Sequence, residues 1–268
     1  MITKPEIDEG HAFDWGKTSA DYAVYRPGYP ASFYTVLQAL GIGIPGQNIL
    51  DLGTGTGVLA RACAQQGAHV IGIDIAEAQI VTAEQLATQD HLNIRFATCA
   101  AENAEFPPQS FDIISCGQSW LYFDTQRMIP LVKTRLKPGG KLVLTYLSWL
   151  PRKDPIAQAS EQLILRYNPY WSDADFPGSR TIQHAWSRQD FCLVTYHAYE
   201  EGIPFTRDSW RGRIRACRGI GASLVPEEVE RFDQEHDALL RQIAPETFTI
   251  LHQVWLYAYT PLGEADTV

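Results

Sequence analysis

The sequence predicts an α/β protein built on a doubly wound, largely parallel sheet. Three observations carry that prediction. Short apolar runs alternate with helical patterns as far as residue 150. The first run leads directly into Gly53, Gly55 and Gly57, and a helical pattern follows at once. Polar residues stand just after the apolar runs, at Asp51, Asp74, Glu102 and Gln118, and in such a sheet the strand ends share one ligand-binding edge.

Residues 31–40 read as a helix behind an extended turn set by Pro27 and Pro30. Ile49, Leu50 and Leu52 supply the first buried strand. From 58 to 66, Val58, Leu59, Ala62 and Cys63 recur at helical spacing, and Gly67 is a good stop. Residues 69–75 form a second strand that ends at Asp74. Residues 76–88 form a helix with Ile80, Val81, Ala83, Leu86 and Ala87 inward. The third and fourth strands fall at 94–98 and 111–116. The helix 125–136 contains Pro130, which predicts a kink or a late start. Residues 137–140, Lys-Pro-Gly-Gly, read as a tight turn before a fifth strand at 141–146. Right-handed crossovers then gather the loops after the strands on one edge.

Beyond residue 150 the alternation breaks. A short helix at 156–167 precedes an aromatic loop with Tyr170, Trp171, Phe176 and Trp186. A strand at 191–200, two helices within 206–244 and a long last strand at 248–260 complete the chain. The expected organisation is an N-terminal arm and helix at 1–40, a core at 41–150, a lid insertion at 151–190, and the last two strands at 191–268 with a helical insertion at 206–245.

A chain of 268 residues with 45% apolar content can bury the core of one such domain. A net charge of −9 with no Lys/Arg run argues against nucleic-acid binding through phosphates. The five cysteines have no metal-ligand spacing and read as small buried thiols of a reducing compartment. Residues 1–10 lack a signal-peptide apolar stretch, and no apolar run approaches a membrane span. A soluble, cytoplasmic protein without metal is expected, of oligomeric state that the sequence leaves open.

The turn carries the chemistry. Glycines at 53, 55 and 57 let a ligand approach the backbone, and the helix beyond them aims its first N–H groups into the turn. Asp51 would repel a pyrophosphate and favour a cationic ligand. The pattern Asp51-x-Gly53-Thr54-Gly55-x-Gly57 resembles the first motif of the class I S-adenosylmethionine-dependent methyltransferases. The segment 22–30, Tyr-x-x-x-Arg-Pro-x-Tyr-Pro, resembles the small-molecule, trans-aconitate-methyltransferase-like branch. The resemblance implies a Rossmann-like, seven-stranded sheet with an antiparallel final strand pair and a helical, aromatic lid. It implies S-adenosylmethionine as cofactor, with Asp51, Gly53, Thr54, Gly55 and Gly57 around its methionine part. Asp74 would accept the ribose hydroxyls, Ile75 would pack on adenine, and Ala101-Glu102 would meet the adenine amino group. Gln118 lies in the loop between cofactor and substrate, and Tyr22 and Arg26 lie in a segment that covers the cofactor.

Several residues read as substrate contacts. Trp120 is placed to wall the methyl-transfer channel, and Tyr146 ends the fifth strand. Arg211, Arg215 and Arg218 fall on one face of a predicted helix 208–219, capped by Asp208 and stopped by Gly219. Trp210, Ile214 and Cys217 form its apolar face. Such a stripe suits a carboxylated substrate, or is a solvated basic face. His184 is the one weak candidate for a base.

The expected function is methyl transfer to a small molecule, a carboxylate or an amine in the absence of a clear base. The alternatives are a nicotinamide-dependent oxidoreductase, since residues 55–60 fit Gly-x-Gly-x-x-Ala, or a non-catalytic cofactor-binding module.

Overall fold

The computed structural model describes residues 1–26, 28–178 and 184–263. Its strands are β1 (Asn48–Leu52), β2 (His69–Asp74), β3 (Arg95–Thr98), β4 (Phe111–Gly117), β5 (Leu136–Trp149), β6 (Phe191–Thr206) and β7 (Thr247–Pro261). The longer helices are α1 (Ser19–Tyr25), α2 (Ala31–Ala39), α3 (Val58–Gln65), α4 (Glu77–Gln89), α5 (Thr125–Arg135), α6 (Pro155–Tyr167), α7 (Arg207–Arg215) and α8 (Pro226–Ile243). One seven-stranded sheet runs in the order β3-β2-β1-β4-β5-β7-β6. The pairs from β3 to β5 are parallel, whereas β7 runs antiparallel to both β5 and β6. The expected Rossmann-like sheet with its antiparallel end is therefore present.

Strands buried on both faces explain the unbroken apolar runs. Ile49, Leu50, Leu52, Ile113, Ile114, Leu142, Val143 and Leu144 are all buried. In α4, Ile80, Ala83 and Ala87 are buried as expected, but Val81 faces solvent.

The chain divides into two compact units. The first comprises Met1–Pro27, Ser148–Ser179 and Glu200–Gln253. The second comprises Gly28–Leu147, Arg180–Tyr199 and Val254–Val268. The expected boundaries at 40 and 190 therefore differ from these units. Helix α2 counts with the core, because Phe33 and Leu37 are buried there and Tyr29, just ahead of the helix, donates to or accepts from Thr145 Oγ1 at 2.7 Å.

Two local expectations also change. Residues 137–140 lie inside β5, not before it. Pairing with β4 jumps from Phe111↔Leu136 to Ile113↔Lys141, so the extra residues bulge out, with Gly139 at φ 77°. Helix α5 starts at Thr125 despite Pro130, because the Asp124 carboxylate accepts from the Gln126 and Arg127 N–H groups.

Candidate functional site

The turn after β1 is built from below. Asp51 is 2% exposed, and its two carboxylate oxygens accept from the Ser115 hydroxyl at 2.6 Å and the Thr54 hydroxyl at 2.7 Å. Burial pushes its ionisation up to about 6, against the two hydroxyls, and the nearby Asp74 charge adds to the rise. Both Asp51 oxygens are thus engaged by hydroxyls. It lies beneath the turn and pins β1, the turn and β4 together. Ser115 went unnoticed in the sequence. Its signal was a hydroxyl inside an apolar strand, and it sits opposite Asp51 in the parallel register.

From that base the loop rises through three left-handed glycines, with φ of 64° at Gly53, 56° at Gly55 and 76° at Gly57. The Thr54 N–H donates to the Ile73 carbonyl at 2.9 Å. The Gly55 N–H donates to Asp74 Oδ2 at 2.9 Å, while Asp74 Oδ1 accepts from the Ala76 N–H at 2.9 Å. Asp74 thus ties the first loop to the second. Each of its oxygens keeps a further lone pair, and the residue is half-buried. Burial raises its pKa, and the Ala76, Gly55 and Ile75 N–H groups oppose the rise. Beside it, Ile75 is 57% exposed, an apolar surface bare next to an acceptor.

The loop after β4 closes in from the other side. The Ser119 hydroxyl donates to the Leu52 carbonyl at 2.6 Å. Gln118 takes φ 62° and its N–H donates to the Thr145 carbonyl at 2.8 Å. A non-glycine residue held left-handed costs about 1 kcal/mol or more and marks a constrained loop. Ala101 is buried, and Glu102 Oε1 accepts from the Asp124 N–H at 2.9 Å. Asp51, the glycines, Asp74, Ile75, Ala101, Glu102 and Gln118 thus all stand at the strand ends of the second unit.

Trp120 is 3% exposed, with its ring 4.9 Å from Trp186. His184 stacks on Trp186 at 5.6 Å and shares a 2.8 Å hydrogen bond between its Nδ1 and the Tyr259 hydroxyl. Tyr146 stacks on Trp255 at 5.3 Å and meets Tyr257 edge-on, which in turn touches His184 at 4.7 Å. Trp120, Tyr146 and His184 therefore belong to one aromatic cluster of the second unit. Its rings exclude water, and His184 Nδ1 is engaged by the Tyr259 hydroxyl.

The first unit holds the other candidates. Helix α7 starts earlier and stops sooner than expected. Thr206, not Asp208, caps it, through a reciprocal box with Ser209, and it ends at Arg215. The arginine stripe is spent on acids. Arg211 pairs with Asp233 and, at 3.0 Å, Asp237. Arg215 bridges Asp21 at 3.0 Å and Asp233 at 2.6 Å. Arg218, past the helix, is buried and pairs with Asp8 and, at 2.6 Å, Asp173. The α8 carboxylates one turn apart explain this: Asp233 and Asp237 face α7. Arg215→Ala is expected to lower stability by about 1–3 kcal/mol, less than for a fully buried pair because the side chain keeps 16% exposure. A denaturant midpoint equal to that of the unaltered chain would restore the reading of a free substrate arginine.

Arg213 was missed. It lies three residues after Trp210 and four before Cys217, on the apolar face. It is 5% exposed, with its guanidinium 4.8 Å over the Trp149 ring. No ion pair reaches it among the described residues, and Nη1 has no acceptor. Burying a cation costs several kcal/mol, of which one cation–π contact returns about 2. Arg26, which lies 4.4 Å over the Tyr22 ring, repels it. Burial first, then Arg26, push its pKa down to about 9, so it stays charged at neutral pH.

The fold and the loop geometry define an α/β domain with a glycine-rich turn at the strand ends of its parallel half. Residues 49–140 match the methyltransferase-domain family. The matched stretch contains the glycine turn, Asp74, Glu102 and Gln118. Over 108 residues it is 38% identical to the ubiquinone biosynthesis O-methyltransferase of Coxiella burnetii, covering 40% of this chain and 46% of that protein. The chain spans about half the length of the curated relatives it matches. YjhP from E. coli is 19% identical, with a TM-score of 0.58 over 92% of this chain and 99% of that one. A methyltransferase from Geobacter sulfurreducens, solved with S-adenosyl-L-homocysteine, is 16% identical, with a TM-score of 0.53 over 98% of this chain and 100% of that one. These two likenesses are of fold. Among the described residues no helix is long and apolar enough to cross a membrane.

Proposed function

We propose that the chain transfers the methyl group of S-adenosylmethionine to a small molecule, with a carboxylate or an amine as acceptor. The observation that carries this reading is the loop Gly53–Gly57, held on a buried Asp51 and tied by its Gly55 N–H to Asp74. When bound, the cofactor supplies a methyl already activated by its sulfonium. The chain's own residues then have to position and desolvate. The second lone pairs of Asp74 suit ribose hydroxyls, Ile75 suits an adenine face, and Glu102 suits the adenine amino group. The aromatic cluster of Trp120, Tyr146 and Trp186 suits the exclusion of water. A carboxylate nucleophile needs no base, which accords with a His184 already hydrogen-bonded to Tyr259. The likeness of the segment 22–30 to trans-aconitate-methyltransferase-like proteins supports the same acceptor class. The Coxiella relative's name supports oxygen as the acceptor atom.

Asp74→Ala is expected to weaken S-adenosylmethionine binding by about ten- to a hundredfold, the worth of a charge-assisted hydrogen bond of roughly 1.5–3 kcal/mol. Calorimetry with S-adenosylmethionine, S-adenosylhomocysteine and NAD on the unaltered chain tests the reading itself. Binding of NAD in preference to both sulfur nucleosides would overturn it, and methyl transfer to a panel of small acids and amines would identify the acceptor.

A further inference from the structure

We propose that Ser115 is a positioning residue for the cofactor turn: acting through Asp51 and Thr54 it holds Gly53–Gly57 in the shape that binds, and the hold requires Asp51 as a carboxylate. The inference rests on the proposed function and adds to it a dependence of cofactor affinity on one proton. All the residues involved belong to the second unit. Asp51 stands opposite Gly72 in the pairing of β1 with β2, and opposite Ser115 in the pairing of β1 with β4. Ser115 and Thr54 are both buried. The Ser115 hydroxyl donates to Oδ1 and the Thr54 hydroxyl to Oδ2. A Cβ at Gly72 would lie 2.8 Å from Thr54 Oγ1, so β2 walls that hydroxyl in. The backbone of Thr54 shapes the turn directly, since its carbonyl accepts from the Gly57 N–H at 2.9 Å.

Two donated hydrogen bonds need two accepting oxygens. A proton taken from solvent turns one Asp51 oxygen into a donor, and the hydroxyl facing it loses its acceptor in a packed interior. Either the contact with β4 or the contact with Thr54 then loosens, and the turn with it. The titratable groups that act with Asp51 are Asp74 at the end of β2, Cys63 on α3 and Cys116 on β4. Burial keeps both thiols protonated, with Cys63 pushed up to about 12. Of these four groups only the two carboxyls titrate below neutrality. At Asp51 burial first, and then the Asp74 charge, favour the proton, while the Ser115 and Thr54 hydroxyls oppose it.

The test is calorimetry on the full chain between pH 7 and pH 5, with S-adenosylhomocysteine and with S-adenosylmethionine. Affinity for both is expected to fall about tenfold across that interval. S-adenosylhomocysteine carries no sulfonium, so a fall for S-adenosylmethionine alone would mean that Asp51 attracts the sulfonium, and would overturn the role of the turn. Ser115→Ala removes a hydrogen bond made to the charged form, so the midpoint of the fall is expected to move up by about one pH unit. Ser115→Thr keeps the hydroxyl and is expected to restore the parental midpoint. A serine that merely packs β4 would instead lower affinity by one factor at every pH, and that result overturns the inference. Carboxyl-carbon NMR of the aspartate-labelled, ligand-free chain reads the same midpoint, with Asp51→Asn assigning the resonance. An Asp51 midpoint that Ser115→Ala leaves in place also overturns the inference. Failure of S-adenosylhomocysteine to bind the unaltered chain at pH 7 counts against methyl transfer, while the NMR midpoint still reads the Ser115 contact.

Discussion

Gly53→Val is expected to abolish S-adenosylmethionine binding while the rest of the sheet still folds. Two independent effects add at that position. The residue sits at φ 64°, where a β-branched side chain is strained. A Cβ there would also lie 2.5 Å from the Ser119 Cβ and 2.9 Å from its Oγ. Ser119 cannot yield without loosening its hydrogen bond to the Leu52 carbonyl, which fixes the loop after β4 against the end of β1. The valine therefore drives apart the two loops that carry Gly55 and Gln118. The strain and overpacking together are worth about 2–5 kcal/mol, enough to remove a micromolar affinity from the measurable range. Calorimetry together with circular dichroism checks the result. A folded variant that binds as tightly as the parent would show that the loop does not meet the ligand. Gly55 shares the left-handed backbone, so Gly55→Val should behave alike for binding.

Stability is expected to fall by about 3 kcal/mol between pH 7 and pH 5. His236 and His252 are fully buried. Burial holds their pKa values down at about 4 and about 3, respectively. In the unfolded chain a histidine titrates near ~6.5. Between that value and the folded one the unfolded state binds more protons, so stability is complete above pH ~6.5 and is lost as the pH falls. Each histidine then loses about 2 kcal/mol by pH 5. Asp51 acts in the opposite sense. Its folded value of about 6 lies above the unfolded ~3.9, so the fold gains about 1 kcal/mol over the same interval. The two histidines outweigh it. On its own helix Asp233 and Asp237 oppose the effect of burial on His236, while Arg211 and Arg215, which pair with Asp233, work with it. Urea midpoints at the two pH values measure the effect, and His236→Gln should cut the fall to about 1 kcal/mol. A midpoint independent of pH in that interval would refute the burial of neutral imidazoles as its source.

The sheet was legible because its strands are buried on both faces and its loops need glycine and acid at fixed places. Residues 49–57, Asp74 and Gln118 are local signals, readable without knowing any partner. What stayed hidden depends on distant residues. The direction of Asp51 is set by Ser115, which lies opposite it only once β1 pairs with β4. Arg211 and Arg215 share a face with Arg218 in an ideal helix, but the Thr206–Ser209 box shifts the start and Gly212 bears on its path. A Cβ at Gly212 would lie 2.1 Å from the Tyr25 ring, so α7 lies tight on α1. No periodicity in α7 reports Asp8, Asp21 or Asp233. Arg213 was legible in principle, as a cation in the apolar row of Trp210 and Cys217, but a stripe of three arginines drew the eye to the wrong face.

The pairing of Arg218 with Asp8, and of Arg215 with Asp21, sets an order in time. Each pair joins the start of the chain to α7 or the turn just past it, some two hundred positions later. The first unit is assembled from three separate stretches that end at Gln253, whereas residues 28–147 of the second unit are contiguous. Long loops must close before the first unit gains its contacts, and loop closure slows folding. Synthesis from the N-terminus thus releases the strands β1 to β4 with their local partners first, while residues 1–26 wait with Asp8 and Asp21 uncompensated in solvent. Pulse-labelling hydrogen exchange during refolding is expected to protect residues 49–52 and 113–117 before any amide of α1 or α7. Simultaneous protection of both sets would mean that the whole chain condenses in one step.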